Sequence, residues 1–258
     1  MRNHKISREK YFRAEMYRLL TNYKIYLAPF IVNAILFIGI GGQDNYTDSV
    51  LNVFIKSVWS KAFMAIFVVC AAVYAGTLVE DLETNYIRYI IIRGNLNKYV
   101  FSKVIMLFFI SIIVMIIGVL FFVAINSMFL QVGDVVYFDE SSVQYQKLFN
   151  NDKIIVWFIL WGMKMGILAG ILSLIALLTS LFFSNKMFLL SIPALVYELL
   201  LEINVELDKV GIYLFDVRWY RIDMNGGDKV WSLRGFLFTC LCVIGITEFV
   251  IHRLKRRI

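Results

Sequence analysis

The sequence predicts an all-α polytopic membrane protein of six transmembrane helices forming one domain over residues 1–258. Three observations carry that reading. The chain is 60% hydrophobic with a mean hydropathy of +0.73, well above a soluble domain. Charged residues make up only 17% and cluster between long apolar runs. Those runs lie close to the ~20 residues that one helical span needs. They place spans near 25–41, 62–79, 104–130, 154–183, 187–203 and 235–251.

Ahead of the first span lies an amphipathic segment, 7–24. Phe12, Met16, Leu19, Leu20 and Tyr23 recur at helical spacing and form one apolar stripe. Arg8, Arg13, Arg18 and Lys24 supply a basic complement. A helix of this kind lies in the membrane interface against anionic lipid. The charge that persists to Lys24, with no small-residue cleavage site after the apolar run, argues for a retained span and against a cleaved signal.

The loop between spans two and three, 79–103, is the most informative segment. Glu80, Asp81 and Glu83 leave the second span. Tyr86, Ile87, Tyr89, Ile90, Ile91 and Ile92 follow, with Arg88 among them. Arg93-Gly94-Asn95 reads as a helix stop, and Lys98 and Lys103 lead into span three. A short helix at 84–92 follows from this pattern. Such an apolar cluster outside the spans needs a cover. One cover is a cytoplasmic protein partner. The alternative is the inner leaflet, with Arg88 and Arg93 as anchors.

Lysine and arginine set the orientation. Sixteen lie in 1–24, 80–103, 184–186 and the tail after His252, against seven in the opposite loops, which carry eleven Asp/Glu. Both termini are therefore expected in the cytoplasm, which requires an even number of spans. The net charge of +7 fits this membrane asymmetry and gives no reason to expect nucleic acid. Trp59, Trp157, Trp161 and Trp231 fall near the outer ends of spans two, four and six, and Trp219 in the last outer loop, as an aromatic belt would require.

Span four carries Gly162, Gly166 and Gly170 at four-residue spacing, a small-residue face for close helix packing. That face can pack within the chain or against a second copy. Lys164 lies in the same span, and Glu198 and Glu202 lie in span five at a similar depth. A charge at mid-bilayer costs at least ~2.5 kcal/mol unless paired or wetted. These groups either pair or line a polar cavity, or Lys164 snorkels outward and the glutamates cap a shallow span.

Catalytic chemistry finds little footing. Histidine occurs only at His4 and His252, and Cys70, Cys240 and Cys242 all lie in apolar runs. No catalytic, cofactor-binding or metal-ligating residue is expected. No G-x-x-x-x-G-K-[ST] loop is present, so any ATP and magnesium must be held by another polypeptide.

The order of amphipathic entry helix, span, outer loop, span, acidic-to-basic cytoplasmic loop and four further spans resembles the permease subunits of ATP-binding-cassette (ABC) transporters of the type-2 exporter class. The segment E-T-N-Y-I-R-Y-I-I-I-R-G-N-L-N-K-Y-V-F-S-K looks like their first cytoplasmic loop. The resemblance implies a coupling helix at 84–92 that docks an ATPase subunit through Glu83, Tyr86, Ile87, Arg88, Tyr89, Ile90 and Arg93. It also implies a dimer with a second copy or a paralogue, plasma-membrane localisation in a bacterium, and a short re-entrant element within 204–233. The export of a peptide, lipid-like or antimicrobial substrate is implied only by analogy. Two other readings stand beside it. One is a membrane scaffold that binds a cytoplasmic partner without transport. The other is a secondary transporter, for which no matching halves are visible.

Overall fold

The structure is a computed structural model that describes residues 8–41, 49–132, 153–183, 185–210, 220 and 229–257. All regular elements among them are helical. In order they are α1 (Arg8–Leu20), α2 (Lys24–Ile40), α3 (Val50–Trp59), α4 (Met64–Tyr74), α5 (Thr77–Glu83), α6 (Tyr86–Arg93), α7 (Leu96–Asn126), α8 (Ile154–Thr179), α9 (Lys186–Val210) and α10 (Lys229–Arg257). A 3-10 turn at Lys61–Phe63 leads into α4.

Five stretches are long and apolar enough to cross a membrane: Lys61–Glu83, Leu96–Asn126, Ile154–Thr179, Lys186–Leu207 and Arg234–Arg256. A sixth is reached when α1 and α2 count as one span bent by 57°. The chain is thus a multi-pass membrane protein. The ambiguity has a simple source. At ~1.5 Å per residue, the 17 residues of α2 reach about 25 Å, short of a ~30 Å hydrocarbon core. Gly41 closes α2 with a φ of 59°, a left-handed C-cap that glycine adopts without strain.

The centre of the bundle is α7 against α8, and its contact is set by glycine. A Cβ on Gly162 would lie 3.1 Å from the Cα of Ile116, and one on Gly166 would lie 2.7 Å from the Cα of Ile112. On Gly170 it would meet the Phe108 ring at 2.6 Å. The three glycines therefore step down α7 one turn at a time, within the chain. Close approach of two backbones replaces side-chain volume with dispersion contact, the main source of helix association in lipid. α2 packs on the other side of α7, where a Cβ on Gly118 would come within 2.5 Å of Val32.

Several expectations are corrected by the structure. The segment 42–60, expected as a loop, contains a helix, α3, whose ten residues are too few to span and so gave no span signal. Ser49 caps it by accepting from the Asn52 amide at 3.4 Å, and nearly all its apolar side chains are buried. Trp157 and Trp161 do not form an interfacial belt. They are fully buried and pack edge-on against Phe54 of α3. Trp59 is 56% exposed, whereas Trp219 lies outside the described residues. α7 begins at Leu96, eight residues before the expected start, because Asn95 caps it by accepting from the Asn97 and Lys98 amides. α9 continues to Val210, and most of the segment expected to re-enter, 204–233, lies outside the described residues.

Gly166→Ala should lower stability by about 1–3 kcal/mol, because the Ile112 backbone cannot swing aside. Thermal unfolding in detergent reads this directly. Gly245→Ala, where a Cβ would meet nothing within 4 Å, should leave the midpoint unchanged or slightly higher.

Candidate functional site

One end of the bundle gathers α1, α5, α6, the start of α7, the link into α9 and the end of α10. Among the described residues it is the end that carries most of the lysine and arginine. Here the acidic exit of the second span meets the basic entry helix, and a connected set of buried polar groups results.

Asp81 is the hub. It is 3% exposed and accepts from Arg18 Nη1 at 2.7 Å, from the Tyr99 hydroxyl and from Lys103 Nζ. Lys103 is 2% exposed and also donates to the Tyr99 oxygen at 2.9 Å. Arg18 reaches Glu80 through Nη2 at 3.1 Å, and Lys186 approaches the other oxygen of Glu80 at 3.5 Å. Beside them the Tyr74 hydroxyl donates to the buried carboxylate of Glu15. The network thus ties α1 to α4, α5 and α7, with an exposed branch to α9. An ion pair so buried carries a large desolvation cost, offset only when every charge has partners, as it has here.

α6 sits between α5 and α7 as a short crosspiece. Asn85 makes the turn into it with a φ of 56°, a left-handed conformation that asparagine tolerates. Its two faces differ. Ile87 and Ile90 are buried in the chain's own core, at 2% and 6% exposure. Tyr86 and Tyr89 are 48% and 63% exposed, and Arg88 and Glu83 are exposed with them. Of the residues expected to meet a partner, Ile87 and Ile90 are therefore corrected to internal packing. The accessible face is Glu83, Tyr86, Arg88 and Tyr89. Arg93 closes the helix.

At the far end of α6 the Tyr11 hydroxyl accepts from the Asn95 amide at 3.0 Å. A Cβ on Gly94 would fall 1.8 Å from that hydroxyl, so a larger residue there would push the Tyr11 ring off the α6–α7 turn. Between α5, α6, the end of α8 and the end of α10 lies a cleft of about 330 Å³, floored by Leu82, Ile87, Leu181 and Leu254 and edged by Glu83 and Arg88.

The entry helix is placed by the same contacts. Leu19 is buried with Glu15, while Phe12, Met16, Leu20 and Tyr23 point outward with Arg13. The expected apolar stripe thus loses Leu19 to the protein and keeps the rest on the open side. Farther along the bundle, Lys164 is half-buried on α8, and Glu198 and Glu202 are exposed on α9. Among the described residues no ion pair joins Lys164 to either glutamate.

Arg18, Asp81 and Lys103 are recognisable in the sequence as charges but not as partners, and Glu15, Tyr74 and Tyr99 do not stand out there. One signal was legible: Tyr99 and Lys103 stand four residues apart and share a helix face.

Compared with family models, curated proteins and solved structures, the chain matches none. The fold and site define its class as a helical multi-pass membrane protein with a polar, cross-braced basic end.

Asp81→Ala would leave the Lys103 ammonium buried without its carboxylate. It should cost about 3–5 kcal/mol of unfolding free energy in detergent. Adding Lys103→Met to that variant should recover part of the loss, since no uncompensated charge then remains. Equal instability of the single and double variants would show that Lys103 does not need Asp81.

Proposed function

We propose that this chain is the permease subunit of an ATP-driven ABC exporter, energised by a separate ATPase subunit that seats on the outer face of α6. The observation that carries the reading is the two-sidedness of α6. One face, Ile87 and Ile90, is anchored in the core, and the other, Tyr86, Arg88 and Tyr89, is open. A helix attached to its own bundle on one side and presented on the other is suited to pass on a push.

The route of that push follows from the contacts. α6 joins α5 to α7 directly, and Asp81, Tyr99 and Lys103 hold those two helices together from inside. α1 moves with them through Arg18 and Tyr11. Closure of the ATPase would therefore tilt α4–α5 and α7 as one unit. The ATPase binds ATP and magnesium, and this chain binds neither.

The positive-inside asymmetry supports a cytoplasmic basic end and cytoplasmic termini in a bacterial plasma membrane. By the resemblance, a second copy or a paralogue completes the pathway, and the cargo is a peptide, lipid-like or antimicrobial molecule. Glu198 and Glu202, exposed on a helix that crosses the membrane, support such a partner. Carboxylates facing lipid at depth are costly, and a polar pathway or second chain would relieve that cost.

Purification of the full chain with its bound ABC ATPase, identified by mass spectrometry, tests the proposal. Arg88→Glu combined with Tyr89→Asp should abolish co-purification and leave the yield of folded permease unchanged, because both side chains are exposed. Ile87→Asp should instead reduce that yield. Undiminished ATPase binding by the Arg88/Tyr89 variant would refute docking on α6.

A further inference from the structure

A second cavity lies at the elbow where α1 turns into α2. It measures about 310 Å³, near the ~300 Å³ lower end of small-ligand sites. Its walls include Arg18, Asn22 and Lys24 from the elbow and Gly76, Thr77 and Glu80 from the start of α5. The elbow is held in place. The Asn22 side-chain amide donates to the Val73 carbonyl at 3.1 Å, and the Tyr26 hydroxyl donates back to the Leu20 carbonyl at 3.0 Å.

We propose that this cavity holds the phosphate headgroup of an anionic glycerophospholipid. Position is the first argument. The elbow joins a helix with an open apolar face to a helix that enters the membrane, which sets the cavity at headgroup depth. The side chains around the elbow, Leu20, Tyr23, Tyr26 and Leu27, are 50–70% exposed, a surface suited to the acyl region. A free anion has no use for such a surface, whereas acyl chains do.

Donor chemistry is the second argument. Lys24 is exposed and, among the described residues, has no carboxylate within ion-pair distance. Arg18 spends one N–H of each terminal nitrogen on Asp81 and Glu80, and a guanidinium has five. Its remaining donors and the Lys24 ammonium suit a phosphate diester. Glu80, bonded to Arg18 in the same lining, can accept from headgroup hydroxyls.

Space is the third argument. A Cβ on Gly76 would meet nothing within 4 Å, so room is left in the wall at that residue. Its φ of −68° is ordinary right-handed helix, which any residue can adopt. Backbone strain therefore does not call for glycine here.

The test uses the detergent-solubilised full chain and native mass spectrometry of retained lipid. Phosphatidylglycerol should bind at one copy per chain, and diacylglycerol, which lacks the phosphate, should not. Lys24→Gln should weaken phosphatidylglycerol binding about tenfold, the scale of one charge-assisted hydrogen bond. Gly76→Leu keeps every charge and should block binding sterically, with helix propensity improved. Lys255→Gln, at the chain's tail, should bind as wild type and controls for overall charge. Equal retention of diacylglycerol, or wild-type binding by both Lys24→Gln and Gly76→Leu, would overturn the proposal. Displacement of the lipid by excess inorganic phosphate would reassign the cavity to the free ion and overturn the lipid assignment. Should Lys24→Gln fail to fold, Gly76→Leu and the two-lipid comparison decide. None of these outcomes depends on whether an ATPase docks on α6.

Discussion

Burial of the Asp81 carboxylate is the constraint on which the basic end depends. A carboxylate taken so far from water persists only if its charge is answered on all sides. Arg18, Tyr99 and Lys103 answer it, and they come from α1 and α7. To keep those partners in reach, α1 must lie across the foot of the bundle and α5 must stay beside α7. The position of α6 follows, because it has only Thr84 and Asn85 before it and Gly94 and Asn95 after it. The elbow and its cavity follow as well, since α1 can reach Asp81 across the bundle's foot only if the chain bends, here by 57°, before α2.

The two ends of the molecule are held by different physics. At the basic end, directional ion pairs fix which helices touch and at what angle. At the other end, Phe54 meets Phe122, Phe158 and Trp161 in tilted and edge-on ring contacts, all buried. Between them, the glycine-lined seam of α7 and α8 brings two backbones close. Such a seam resists separation, because any gap forfeits dispersion contact along its whole length.

The legible parts of the sequence were those governed by local pattern. Apolar runs located the long spans, the Arg93-Gly94-Asn95 stop located the break between α6 and α7, and the Gly162/Gly166/Gly170 spacing marked a packing face. The parts not legible were pairings between distant residues. Nothing in the spacing of Arg18, Asp81 and Lys103 says that they meet, since 63 and 22 residues separate them from the hub. The same blindness explains Trp157 and Trp161. Tryptophan near a span end suits the lipid headgroups, but a buried α3 lies over these two and covers them. It also explains Ile87 and Ile90, whose cover is the chain itself.

The sequence by itself determined a helical membrane protein, a basic and an acidic side, a short helix between spans two and three and an amphipathic entry helix. Each of these rests on composition or on a period within one segment. Only the tertiary structure decided which face of α6 is open, that the glycine seam lies within the chain, and that Asp81 joins the entry helix to spans two and three. Those depend on which surfaces are brought together, and the energy of a buried charge or a close backbone contact exists only once its partner from elsewhere in the chain has arrived.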